Sequence, residues 1–493
     1  MAFPKVCGIE TEYGITVTGH DEFNPVVSSS LLINSYADTE LRRVRWDFDD
    51  ETPGRDARGQ AKDDSTPPDV ETHLVNVVLT NGARYYVDHA HPEYSSPEVL
   101  SPLDAVIYDK AGEHILAASA AAAQRVLPDG QRLIVYKNNS DGKGNSYGCH
   151  ENYLVDRAVP FSKLVDTMLA FFTTRQVICG AGKVGSEHGQ SQVGYQISQR
   201  ADFFEEEVGL ETTLKRPIVN TRDEPHADPA KYRRLHVIVG DANMSEVATF
   251  LKLGTTSLVL SMLEDTEFDD LLLLNPVGAI HEISRDPTCR KLVQLSDGTT
   301  ATAVEIQWEY LDKVKKYVDE QDADPDPVAA EILTRWESVL TALEDDPMRL
   351  DGVLDWPTKL GVLEAYRERG GLDWDSPKLA LIDLQYHDVN PDKSLAYKLM
   401  RSGKLETLID PEVSRRAVFE PPVDTRAYFR GRCLDKYADA IVAANWDSLV
   451  FDVGQEALRR VPMHEPTRGT KALVGDLLGS CETALDLVDH LGS

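Results

Sequence analysis

The sequence predicts an α+β protein on three observations. Apolar and polar residues alternate with period two near the N-terminus, around residue 84 and around residue 235, the spacing of half-buried strands. Stretches with helical periodicity follow at 104–127 and 303–371. No internal repeat or low-complexity tract interrupts the pattern, so strands and helices share one mixed architecture. At 493 residues the chain exceeds what one small core accommodates. The turn-rich crossing at Glu420-Pro421-Pro422 suggests a large N-terminal body, 1–430, and a small C-terminal domain, 431–493.

Taken in order, residues 5–17 (KVCGIETEYGITV) read as strand. Residues 43–75 are polar and acidic, with Pro67-Pro68 and little periodicity, and are expected to form a mobile inserted loop. VNVVLTNGARYYVDHA is strand-like, with Asn81-Gly82 marking a tight turn. Residues 104–127 read as helix, 132–139 as strand, DGKGNS (141–146) as a Gly-rich loop and 232–243 as strand. Asn243 and Ser245 are candidate helix starters for the apolar run to Leu263. Several amphipathic helices occupy 303–371, broken at DPDP (324–327) and at Asp355-Trp356-Pro357.

Composition excludes several classes. The chain is 42% hydrophobic and 27% charged, as in ordinary globular proteins, which sets aside disorder and fibres. The Ala-rich run Ile115 to Ala123 is too short to cross a bilayer, and the N-terminus lacks the basic start and apolar core of a secretory signal. Six scattered cysteines without CxxC spacing suggest neither a disulfide framework nor a zinc site, so the cytoplasm is the expected compartment. A net charge of −31 argues against general nucleic-acid binding, which needs a basic face. An acidic partner could dock only where Arg and Lys residues gather.

The chemistry concentrates on strands. Glu10 and Glu12 share one face of GIETEYG, and adjacent carboxylates repel unless a cation such as Mg²⁺ sits between them; the alternative is a solvated strand face. Arg84, Tyr86 and Asp88 share a face opposite Ala83, Tyr85 and Val87, with His89, His91 and Glu93 crowding the following turn. That density of titratable groups points to an active site. In RRLHVIVGD, Arg234 and His236 lie opposite Leu235, Val237 and Val239; His236 is either a metal or phosphate contact or a satisfied core histidine. NTRDEPHAD (220–228) reads as a loop suited to binding. The GxGxxG match at Gly180–Gly185 is not followed by a helical pattern, and DGKGNS lacks P-loop spacing.

The blocks GIETEYGI, LTNGARYYVDHAHPEYSSPE, KNNSDGKGNSYGCHENYL, TRQVICGAGKV, NTRDEPHADPAKYRRLHVIVGDANMSE and PPVDTRAYFRG closely resemble the Pup ligase/Pup deamidase family, across nearly the whole chain. WDFDDETPGRDARG (46–59), VGLETTLKR (208–216) and WDSLVFD (446–452) resemble the branch that removes Pup, the prokaryotic ubiquitin-like protein.

The resemblance implies a glutamine-synthetase-like catalytic domain with a curved antiparallel sheet and flanking helices. It implies Mg²⁺ ligands at Glu10, Tyr86 and Glu93, with Glu12 and His236 completing the metal and phosphate environment, and a catalytic carboxylate at Asp88. Nucleotide contacts fall on Arg84, Ser96 and Trp446, Ser96 standing where the ligases carry Thr. The implied cofactors are ATP, or ADP plus phosphate, and Mg²⁺. The implied reactions are deamidation of the C-terminal Gln of Pup and cleavage of the Pup–lysine isopeptide bond. Pup, pupylated proteins and, indirectly, the Pup–proteasome system are the expected partners. Pup resembles a short acidic chain, so a basic groove is expected, with Arg200, Lys215, Arg216, Arg233 and Arg234 as candidates. A Pup–protein ligase, a small-molecule amine ligase and a non-catalytic Pup-binding adaptor are the competing readings.

Overall fold

The computed structural model describes residues 4–19, 24–40, 44–48, 51–59, 75–187, 189–266, 271–321 and 326–492. Its centre is a six-stranded sheet in the spatial order Tyr232–Val237, Cys149–Asp156, Cys7–Glu12, His91–Ser95, Arg84–Asp88, Asn76–Val78. Every neighbouring pair is antiparallel. The alternation read from the sequence becomes two faces. Ile9, Tyr85, Val87, Tyr94, Tyr153, Leu235 and Val237 are buried against helices, while Glu10, Glu12, Arg84, Tyr86 and Asp88 occupy the alternate positions. The turn before Arg84 closes at Gly82, whose φ of +85° favours glycine, with Asn81 Oδ1 accepting from the Ala83 N–H.

Two long helices cover the apolar face. Pro102–Gln124 starts at Ser101, whose hydroxyl accepts from the Leu103 N–H, and Glu246–Asp265 starts at Ser245, which accepts from Ala248 N–H. The second helix is long and apolar enough to cross a membrane by length and composition, yet its apolar window is wholly buried inside the protein. One acid breaks the apolar face: Glu151 is fully buried, and Arg175 grips both its oxygens at 2.6 and 2.8 Å. A buried charge persists only when matched in this way. Three helices, Ala303–Asp319, Pro327–Asp345 and Asp355–Gly370, fill the 303–371 region; Asp355-Trp356-Pro357 begins the third.

The C-terminal region has its own apolar cluster, including Phe429, Cys433, Leu449, Phe451 and Leu487. A four-stranded sheet orders Arg459–Pro462, Ser448–Phe451, Ile441–Ala444 and Arg45–Trp46, the last pair parallel. Within the stretch expected to form a mobile inserted loop, 43–75, Arg45–Trp46 is a strand. Val44 and Trp46 bury their side chains in the C-terminal cluster, which is what fixes that short strand. Residues 43, 49–50 and 60–74 of the expected loop lie outside the described residues. The expected boundary at 430 falls inside the helix Ala427–Lys436. All six cysteines are free and buried.

Candidate active site

Strand register assembles the polar face. Glu12 lies opposite Glu93, which in turn lies opposite Tyr86; Glu10 lies between Ser95 and His150; Asp88 lies opposite His91. The ligand-bearing atoms of Glu12, Asp88 and Glu93 fall within 4.8 Å of one another, and so do those of Glu10, His150 and His236. Glu93 is almost fully buried. Burial first, then the charges of Asp88, Glu10 and Glu12, push its carboxyl well above the ordinary range. Three crowded acids of this kind suit a hard divalent cation such as Mg²⁺, which would neutralise their repulsion.

The second group is electrostatically opposite. Burial raises Glu10, but the hydrogen bond from His150 and the charge of Arg234 outweigh it and hold the carboxyl well below its usual value. Asn152 organises this group. Its Nδ2 donates to Glu10 Oε1 at 2.7 Å, and its Oδ1 accepts from Arg234 Nη1 at 2.6 Å and His236 Nδ1 at 2.9 Å. A carboxylate on one side requires the amide nitrogen there, so the carbonyl oxygen faces His236 and the imidazole proton sits on Nδ1. His236 is buried and its pKa is driven well below the ordinary value, by burial first. The neutral ring therefore keeps Nε2 as its lone-pair atom.

Arg84 is held by stacking. Its guanidinium carbon lies 4.0 Å from the Trp46 ring centroid and 3.8 Å from that of Tyr86, and its Nε donates to Asn76 Oδ1 at 2.8 Å. Trp46 meets Trp446 edge to face at 5.4 Å. Trp446, Ser96, Glu10, Arg234 and His226 line one small cavity. Ser96 Oγ accepts from the Ile9 N–H at 3.0 Å and donates to Pro97 O at 3.2 Å. The C-terminal wall of this cavity is pinned by Glu98, which binds Arg426 at 2.7 Å and Arg430 at 2.5 Å. Arg430 donates in turn to Trp446 O at 2.8 Å and Gly82 O at 2.9 Å.

On the same face, towards the C-terminal end of the strand Cys7–Glu12, opens a cleft of about 750 Å³, lined by Glu12, Asp88, His91, His150, Arg200 and Arg216. Asp88 Oδ2 sits 2.8 Å from His89 Nδ1, and His91 Nδ1 sits 3.5 Å from Glu12 Oε2. The five expected basic-groove residues separate. Arg200 and Arg216 line this cleft, while Arg234 lines the smaller cavity and lies 3.5 Å from Glu10. Lys215 is exposed beside Arg216 at φ +48°. Arg233 is a correction. Alternation along Tyr232–Val237 turns it to the face opposite Arg234, where it is buried over Phe161 and donates to Val159 O at 2.8 Å.

Sequence reasoning missed His150, Asn152 and the Glu98–Arg426–Arg430 clamp. The alternation of CHENYLVD carries the signal for the first two, because His150 and Asn152 are two residues apart on one strand. Nothing local marks the clamp, which joins residues more than 320 positions apart.

Comparison with known proteins places this geometry in a lineage. Residues 5–450 match the family model described as Pup-ligase protein. The chain is 55% identical to a depupylase of Acidothermus cellulolyticus and 50% identical to a Pup deamidase/depupylase of Mycolicibacterium smegmatis, each match covering 99% of both chains. Among solved structures, it is similar to the Pup ligase PafA in complex with Pup, with a TM-score of 0.81 and 33% identity over 97% of this chain and 91% of that one. It is also similar to the Pup ligase PafA in complex with ADP, with a TM-score of 0.74 and 38% identity over 82% and 89%. Family-model coverage, full-length identity and fold agree, and the chain belongs to the Pup-ligase protein family.

Proposed function

We propose that this chain is a nucleotide- and Mg²⁺-dependent hydrolase. It converts the C-terminal Gln of Pup to Glu and cleaves the isopeptide bond between Pup and a substrate lysine. The observation that carries the reading is the position of Asp88, at the end of a strand in the large cleft and within the Glu12–Asp88–Glu93 group. Identity of 55% and 50% to enzymes named for removing Pup, against 33% and 38% to ligases, favours hydrolysis over ligation.

Both reactions attack one side-chain carbonyl, so one site serves both. Glu10, Glu12 and Glu93 supply oxygen donors for Mg²⁺, with Tyr86 beside Glu93 and His236 offering Nε2. Arg84, Ser96 and Trp446 are the proposed nucleotide contacts, Arg84 held flat by its two aromatic neighbours. When bound, the nucleotide would organise the site through its phosphates, and Mg²⁺ would neutralise their charge and stabilise a developing oxyanion. Asp88 delivers the attack, either as nucleophile through an acyl intermediate or as base for water. The C-terminal region, as a small domain, closes the nucleotide side. Six free, buried thiols suit a reducing compartment, the cytoplasm.

The test is a gel-shift assay of a pupylated protein and of Pup ending in Gln, with Mg-ATP, for wild type and Asp88→Asn. Loss of both activities with nucleotide binding retained is the expected result, and wild-type turnover by Asp88→Asn would remove Asp88 from its central role. Stoichiometric conjugation of Pup-Glu to lysine would instead identify a ligase.

A further inference from the structure

The hairpin that carries Asp88 turns on a strained residue. Asp88 pairs with His91, so only His89 and Ala90 connect the strands Arg84–Asp88 and His91–Ser95. His89 adopts φ +51°. The first position of a two-residue hairpin turn usually holds glycine or asparagine, because a bulky side chain is crowded at positive φ. The turn is also tied down. Ala90 O accepts from the buried Ser29 Oγ at 2.8 Å, which fixes the tip to the helix Pro25–Glu40.

This conformation brings the imidazole onto the neighbouring carboxylate, with His89 Nδ1 2.8 Å from Asp88 Oδ2. An ionised carboxylate only accepts, so Nδ1 carries the proton and donates. Among the described residues, Asp88 Oδ1 accepts no hydrogen bond. Both residues line the large cleft. The His89 side chain is 57% exposed and that of Asp88 33%, and a contact so open to water adds little to stability. Stability therefore does not account for a histidine held at positive φ, whereas strain kept beside a reacting group is a mark of function.

We propose that His89 is a positioning residue for Asp88: it holds Oδ2 and leaves Oδ1 as the oxygen that attacks the substrate carbonyl or takes the proton from water. The inference rests on the depupylase reading above and adds which carboxylate oxygen reacts and what aims it. An unheld aspartate turns about both side-chain torsions and offers its oxygens in several directions. Reaction needs one oxygen aligned with its target at about 3–3.5 Å. The same restraint serves Asp88 as nucleophile and as base, so it acts in deamidation and in isopeptide cleavage alike.

The experiment compares His89→Gly and His89→Asn with wild type in deamidation of Pup-Gln and depupylation of a pupylated protein, with Mg-ATP, alongside thermal unfolding. Glycine suits the positive φ but removes the donor. Asparagine tolerates the same φ and places its amide nitrogen on Cγ, where Nδ1 stands in histidine. In His89→Gly, kcat is expected to fall about 10-fold for both substrates, the scale of one hydrogen bond to a charged group at a wet site. KM stays within about twofold of wild type, and the unfolding midpoint within about 2 °C. His89→Asn recovers kcat to within about threefold of wild type. Wild-type kcat in His89→Gly overturns the proposal. His89→Asn as slow as His89→Gly would assign His89 to proton transfer, and a raised KM at unchanged kcat would assign it to substrate binding; either result overturns it. A lowered midpoint in both variants, with kcat lost in both, would make the turn structural and overturns it as well. If wild type turns over neither substrate, the depupylase reading itself fails and the pairing falls with it.

Discussion

Replacing Glu98 by Gln should loosen the C-terminal region from the main sheet, and the structure sets the size of the effect. Burial alone would raise the Glu98 carboxyl, but Arg430 and Arg426 hold it at about 2. The gap from the ordinary carboxylate value corresponds to ~3 kcal/mol. That figure is a ceiling, because burial and the like charge of Arg430 push Arg426 down and return part of the gain. The sign follows from linkage. A folded-state pKa below the unfolded one contributes stability that is fully present above about 4.5 and lost as pH falls through about 2. Urea unfolding should therefore show Glu98→Gln less stable by up to ~3 kcal/mol at pH 7, with the same deficit down to pH ~5.5 and roughly half of it at pH ~3. Since Arg430 also holds Trp446 O, affinity for ADP should fall in parallel. An unchanged unfolding midpoint at pH 7, or a deficit that shrinks well above pH 5, would refute the clamp.

Asn152→Ala should raise the Mg²⁺ concentration needed for half-maximal turnover by about 10- to 100-fold, because the amide orients both Glu10 and His236; an unchanged Mg²⁺ titration counts against it. Charge reversal separates the two arginine environments. Arg216→Glu should weaken Pup binding most at low salt. Arg233→Glu should leave the salt dependence of binding unchanged while lowering stability by ~3 kcal/mol, since it places a buried acid beside Asp223. A salt-dependent binding defect in Arg233→Glu would return that residue to the groove.

Much of the site is legible in the amino-acid sequence, because it rests on strand alternation. The shared faces of Glu10 with Glu12, and of Arg84 with Tyr86 and Asp88, follow from period two, and the fold brings them together in one sheet. Two failures have one physical cause. Glu151 and Arg233 are charged residues on the buried face, each tolerated through a distant partner, Arg175 and Asp223. Glu151 obscures the polar identity of His150 and Asn152, and Arg233 mimics a groove residue. Which partner neutralises a buried charge is a tertiary fact with no local signature. The strand Arg45–Trp46 escapes sequence reasoning for the same reason, since its pairing partner Ile441–Ala444 lies almost 400 residues away.

That parallel pairing has a consequence for anyone exchanging parts between relatives. The segment around Arg45–Trp46 and the C-terminal region share one sheet and one apolar cluster, so neither is a module. Cutting the chain before Ile441 would strip Arg45–Trp46 of its ladder and bare Trp46, and grafting this strand onto a scaffold with a different tail would leave an unfilled seam. The two segments thus form a single structural piece encoded at opposite ends of the chain, and a substitution in one is felt in the other.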